Sequence, residues 1–125
     1  MSIAAKKLAE SMIHEEIRFH KAWYGNMSGL AAEKMLRGRK TPYLFMLRKG
    51  ENEVGGKADY YVSFIQPDLT IKHQPFVITI TPEGWEWENT SGGLCSLESS
   101  IEDVLYLMMH CEQSQPIPLN KLEVK

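Results

Sequence analysis

Cysteine is scarce. Only Cys95 and Cys111 occur in 125 residues, too few for a disulfide framework, and the opening residues hold no apolar signal-like run, so a reducing, cytoplasmic setting is expected. No stretch approaches the roughly 18 consecutive apolar residues of a membrane-spanning helix, so no membrane partner is expected. Positive charge is not in excess. The formal net charge is −2, which excludes a general attraction to nucleic acid and leaves any anion site to be a local construction. His14 and His20 are not one helical turn apart and so do not share a face, and no other His or Cys spacing suits a metal. Neither a metal nor another cofactor is expected. Internal repeats and low-complexity segments are also lacking.

What is present is ordinary globular material, 43% hydrophobic and 24% charged, enough for one core in one domain. From Ile3 to about Trp23 there is no Pro, and Ile3, Leu8, Met12, Ile13, Ile17 and Trp23 recur at helical spacing, which predicts an amphipathic helix broken near Gly25. Its expected role is to cap the back of a sheet. Ser28, followed by Ala31, Ala32, Glu33, Lys34, Met35 and Leu36, predicts a second helix with a hydroxyl cap, ended by Gly38.

The run Tyr43, Leu44, Phe45, Met46, Leu47 is apolar on both faces, which predicts a central strand covered on both sides, stopped by Arg48-Lys49-Gly50. Residues 51–57 are polar and Gly-containing, a loop. Tyr60 to Ile65 reads as a strand, and so does Leu69 to Ile80, in which Pro75 suggests a bulge or an edge. Trp85-Glu86-Trp87-Glu88 alternates like a half-buried strand, and Thr90 to Gly93 is a flexible connection. Ser100 with Asp103 forms a capping box ahead of Ile101, Val104, Leu105 and Met108, the apolar stripe of a third helix. The tail with Pro116 and Pro118 should run extended. Strands joined by short turns pair antiparallel, so the expected class is α+β, a central antiparallel sheet flanked by helices with an additional helix at the N-terminus.

Arg48 is the chemically unusual residue, because it ends an apolar strand and its side chain starts inside the sheet, where an unpaired guanidinium is costly. Either an internal carboxylate or an external anion should meet it. The glycines of the following loop allow backbone amides to converge on an anion.

Several segments together carry a resemblance: Trp23-Tyr24-Gly25 before a capped helix, Phe45-Met46-Leu47-Arg48, Tyr61-Val62-Ser63-Phe64, Ile71-Lys72-His73, Ser100 to Leu105, and Pro118-Leu119. In this order they resemble the Src-homology 2 domain over residues 23–122, with 1–22 as an amphipathic extension. The resemblance implies a non-catalytic module for tyrosine-phosphorylated proteins or peptides, in which Arg48 grips the phosphate and His73 packs beside the phosphotyrosine ring. Proximity to that pocket adds further candidates: the loop start Gly50, Glu51 and Asn52, the cations Lys57 and Lys72, and Ser63 one strand over. A rigid aromatic stalk reaches a deep Arg where phosphoserine does not, and a fork of charge-assisted bonds suits the phosphate. The domain is expected to act as a monomer, and it looks like domains that intracellular bacteria deliver as effectors into the host cytoplasm.

Three departures weaken the pocket. Gly29 stands where the family has a second phosphate-binding Arg, Gly50-Glu51-Asn52 replaces a small hydroxyl residue, and Pro75 stands near a further family Lys. The segments Thr90 to Ser99 and Cys111 to Pro118, where the family reads the residues after the phosphotyrosine, do not follow its pattern, so selectivity there is expected to be modest. The lost helix Arg makes a phosphate-independent interaction scaffold the alternative. A tyrosine phosphatase is excluded: His110-Cys111 is followed by Glu112 to Pro118 with no Arg, and a thiolate needs positive surroundings.

Overall fold

The computed structural model describes residues 3–50, 58–81, 84–88, 93–95 and 100–122. Everything is organised around β2 (Leu44–Lys49), whose first five residues are buried. One edge of β2 pairs antiparallel with β3 (Tyr60–Ile65), placing Phe45 opposite Phe64, Leu47 opposite Val62 and Arg48 opposite Tyr61. The sheet continues antiparallel through β4 (Ile71–Thr81), β5 (Gly84–Glu88) and β6 (Gly93–Cys95).

The other edge of β2 departs from the expected pattern. Two short segments share it, β1 (Trp23–Asn26) and β7 (Ile117–Pro118), and both run parallel to β2. The sheet is therefore mixed, not antiparallel throughout, within an α+β architecture. Segments this short carry too few residues for a period-two pattern to be visible.

Alternation along β2 divides the core in two. Phe45 and Leu47 face one side, where they meet Val62, Phe64 and Phe76 from the sheet, Ile13 and Ile17 from α1 (Ile3–Arg18), and Ile101, Val104, Leu105 and Met108 around α3 (Leu105–Met108). Leu44 and Met46 face the other side, against Ala32 and Leu36 of α2 (Gly29–Leu36), Ile65 and Leu119. Each fully buried large side chain contributes about 1.5–3 kcal/mol. Both faces need cover, which accounts for the unbroken apolar run. Residue Arg48 falls on the α2 side.

Helix α1 is shorter than its periodicity suggests, ending at Arg18 before Trp23 enters β1. A side chain does the stopping. The His20 Nδ1 accepts the Ala22 amide at 2.9 Å, the Trp23 amide bonds to the His20 carbonyl, and His20 Nε2 is held by Glu102. Ile13 and Ile17 are nonetheless buried in the main core, so α1 packs on the back of the sheet. Ser28 caps α2 by accepting the Ala31 amide.

The capping box forms, with the Ser100 amide on Asp103 Oδ2 and the Asp103 amide on Ser100 Oγ. Only four residues of α helix follow it, because the preceding segment closes in tighter turns, the Val104 amide reaching Ile101 O. Pro75 pairs with Tyr61 in an unshifted β3–β4 register, so it marks no bulge there. Among the described residues, pairing of β4 with β5 begins at Val77. Among the described residues, no helix is long and apolar enough to cross a membrane.

Candidate functional site

The Arg48 side chain is fully buried, with 0% exposure. A buried guanidinium persists only where its donors find acceptors. Its Nε donates to Ser63 Oγ at 2.9 Å, one terminal nitrogen donates to the Met27 carbonyl at 3.0 Å, and the other stands 3.2 Å from His73 Nδ1. Each of these three contacts offsets part of the cost of desolvating the guanidinium. The face of the Tyr61 ring covers the guanidinium.

Strand register explains the convergence. Tyr61 and Ser63 are alternate residues of β3 on the α2 side of the sheet, and His73 of β4 stands directly opposite Ser63. The Ser63 hydroxyl lies 2.8 Å from His73 Nδ1. The remaining ring nitrogen, Nε2, lies 3.0 Å from Glu33 Oε1 on α2. An ionised carboxylate only accepts, so Nε2 carries the proton and Nδ1 accepts from Ser63 and Arg48. One consistent chain results: Arg48 donates to Ser63, Ser63 to His73, and His73 to Glu33.

Gly29, at the first turn of α2, lies against this chain. A Cβ there would stand 3.4 Å from the Arg48 terminal nitrogen and 3.6 Å from His73 Nε2. Having no side chain, Gly29 lets the start of the helix lie close against the guanidinium. Gly29, the position that the sequence reading singles out for lacking a second cation, thus borders Arg48.

Glu33, His73 and Ser63 have the order of an acid, an imidazole and a hydroxyl, which invites comparison with nucleophilic catalysis. Ser63 is fully buried and accepts from Arg48 Nε, so its oxygen is not presented to a substrate carbonyl. The relay orients the guanidinium. Cys111, the other nucleophile considered, is half-buried after α3, and burial followed by the adjacent Glu112 raises its thiol pKa. That is the wrong direction for a reactive thiolate.

Of the residues expected at the site, Arg48, Ser63 and His73 come together. Gly50 follows directly on β2 and is half-buried. Lys72 is not brought to them. It pairs with Phe64, whose side chain belongs to the α1 side of the sheet, so alternation carries Lys72 away from its neighbour His73. Lys49 is exposed. Glu51, Asn52 and Lys57 lie outside the described residues. Missing from the sequence reading as site residues are Glu33, Tyr61 and the Met27 carbonyl. Tyr61 was within reach of it, because a residue two before Ser63 in a strand shares its face.

Among the described residues, no group of three or more His, Cys, Asp or Glu side chains could hold a metal ion. His14 is engaged by the Tyr60 hydroxyl at 2.6 Å. No protein-family model matches the chain, and no curated protein matches it.

Proposed function

We propose that this chain is a Src-homology 2 type domain that binds tyrosine-phosphorylated peptides through Arg48, without catalysis. The observation that carries the reading is the Arg48 guanidinium itself, set deep on one face of a sheet at the end of an apolar strand, where Met27, Ser63 and His73 meet it. A phosphate oxygen that replaces one of these acceptors gains a charge-assisted bond in a sheltered place, worth about 1.5–3 kcal/mol. The layering agrees with the same reading, with α2 on the site's side of the sheet and α1 and α3 on the other.

Depth supplies specificity. A phosphate on an aromatic stalk reaches past Gly29 to a buried cation, whereas the shorter phosphoserine does not. Because residues 90–99 and 111–118, where the family reads the positions after the phosphotyrosine, do not follow its pattern, most affinity lies in the phosphotyrosine pocket and selectivity for the following residues is modest. A phosphopeptide array that returned one strict downstream motif would contradict this. In a bacterial effector the site of action would be the host cytoplasm.

The decisive experiment is calorimetric titration of one tyrosine peptide with and without phosphate, and of its phosphoserine counterpart. Binding only to the phosphotyrosine form is expected, with a loss of at least about 2 kcal/mol in Arg48→Ala. Because Arg48 is buried, Arg48→Lys provides a second variant that keeps the charge but not the fork, and circular dichroism checks that both fold.

The full burial of Arg48 favours a second reading, a phosphate-independent interaction scaffold in which the guanidinium only ties α2 to the sheet. Equal affinity for the phosphorylated and unphosphorylated peptides would establish it.

A further inference from the structure

Helix α1 carries two apolar faces, and the sheet covers one of them. Ile13 and Ile17 are buried in the core, whereas Leu8, Met12 and Phe19 stand 63%, 61% and 83% exposed. With Glu15 between Met12 and Phe19, these residues have the spacing of a seam along which one helix meets another. Phe19 lies just beyond Arg18, but its amide still bonds to the Glu15 carbonyl at 2.9 Å, so it continues the helical line. Large apolar side chains scattered singly need no partner, while several in one stripe mark a contact surface.

The charges on α1 say which partner. Lys6 and Lys7 stand near its N-terminal end, and Glu15 and Glu16 near its C-terminal end. Apart from Arg18, this is the reverse of what the helix dipole favours. Glu16 is held by the Ile101 amide, which leaves the exposed Glu15 to face outward. A second α1 laid antiparallel relieves the conflict, because each acidic end then lies beside a basic end. A parallel copy would double it. Over the whole helix three Lys or Arg balance three Glu, so an anionic membrane surface gains little from it.

We propose that two copies of this chain associate through α1, antiparallel about a two-fold axis near Ser11. Such an interface must be complementary to itself, and this stripe is. Phe19 of one copy comes level with Ala4 and Ala5 of the other, large against small. Leu8 and Met12 pack on their counterparts, and Lys7, exposed like Glu15, comes level with it. The dimer takes the place of the monomer that the sequence leads one to expect. Because α1 packs on the face of the sheet opposite Arg48, the pairing does not draw on that residue and holds whatever Arg48 binds.

The test is sedimentation velocity of the whole chain over a concentration series reaching about 0.5 mM. A monomer–dimer equilibrium with a Kd on the order of 10 μM is expected for a contact this small. Met12→Glu should raise that Kd at least about tenfold. Leu8→Gln, also on the exposed stripe, repeats the test, and circular dichroism checks that both variants fold. Charge exchange fixes the direction. Lys7→Glu and Glu15→Lys should each weaken self-association about fivefold, because like charges then meet across the axis. An equimolar mixture of those two variants should regain the parent's affinity, since every such contact is again between opposite charges. A chain that stays monomeric at every concentration, a dimer that survives both Met12→Glu and Leu8→Gln, or a mixture no tighter than its components overturns the proposal. So does a monomeric chain that sediments with phosphatidylcholine–phosphatidylserine vesicles and loses them in Met12→Glu, which assigns the stripe to a membrane surface.

Discussion

Tyr61 lies against Arg48, the guanidinium carbon 4.5 Å from the ring centroid, and the two residues stand opposite one another across β2 and β3. The contact fixes the plane of the guanidinium, and a planar fork recognises phosphate only when that plane is set. Replacing Tyr61 with Phe should leave phosphopeptide affinity nearly unchanged. Replacing it with Leu should weaken binding by about 1 kcal/mol, roughly fivefold. Titration calorimetry of both variants checks this, and equal losses in Phe and Leu would point to the hydroxyl instead of the ring.

Ile17 has 0% exposure and belongs to the core on the α1 side of the sheet. Ile17→Ala should cost about 2–5 kcal/mol, and urea denaturation followed by tryptophan fluorescence should still show one transition. A separate early transition for the N-terminal helix would contradict its membership in that core.

Ser28 accepts the Ala31 amide and so orders the first turn of α2, the turn that also carries Gly29. Ser28→Ala should lower stability by about 1 kcal/mol, measured by the same denaturation.

Glu16 links α1 to the segment ahead of α3 through the Ile101 amide. Desolvation by burial raises its pKa above the ordinary 4.5, and Asp103 and Glu102 add to the rise, against hydrogen bonds from Ile101 and Ser100 that lower it. For an acid raised on folding, the unfolded chain loses its proton first as pH increases. Stability therefore falls between the ordinary value and the raised one, and the penalty is complete above both. Glu16→Gln should be at least as stable as the parent at pH 7, and the two should converge as pH falls to about 4.5. Thermal denaturation across that range checks it; a gap that widens on acidification would reverse the sign.

Much of this was legible in the residues. Tyr60 to Ile65 matched its strand because six β-formers in a row leave no competing pattern. The capped helix after Ser28 and the doubly covered strand before Arg48 were legible for similar reasons. Where structure depends on a distant partner, the sequence reading fell short. Trp23–Asn26 is a strand only because β2 offers an open edge, and Gly25 at φ +70° interrupts any regular pattern within it. The end of α1 depends on a His20 ring held by Glu102, a residue far along the chain.

The site shows the same division. His73 is named by the resemblance of Ile71-Lys72-His73 and Ser63 by its place one strand over from Arg48, whereas Lys72, a cation near the expected pocket, is carried by the pleat of its strand to the opposite face. Glu33 was visible only as a helical residue. Its meeting with His73 requires α2 to lie across β4, a relationship that no local pattern encodes.

The edge that β1 and β7 divide between them carries one more consequence. Leu44 and Phe45 owe their outer ladder partners to Ile117 and Pro118, contributed by a stretch near the far end of the polypeptide. Proteolytic clipping ahead of Gln115 would strip that border and expose greasy strand backbone with unsatisfied donors and acceptors, a template onto which other molecules can add. Such a nicked species should precipitate instead of persisting as a weakened monomer, so two residues of paired backbone act as a guard against self-assembly.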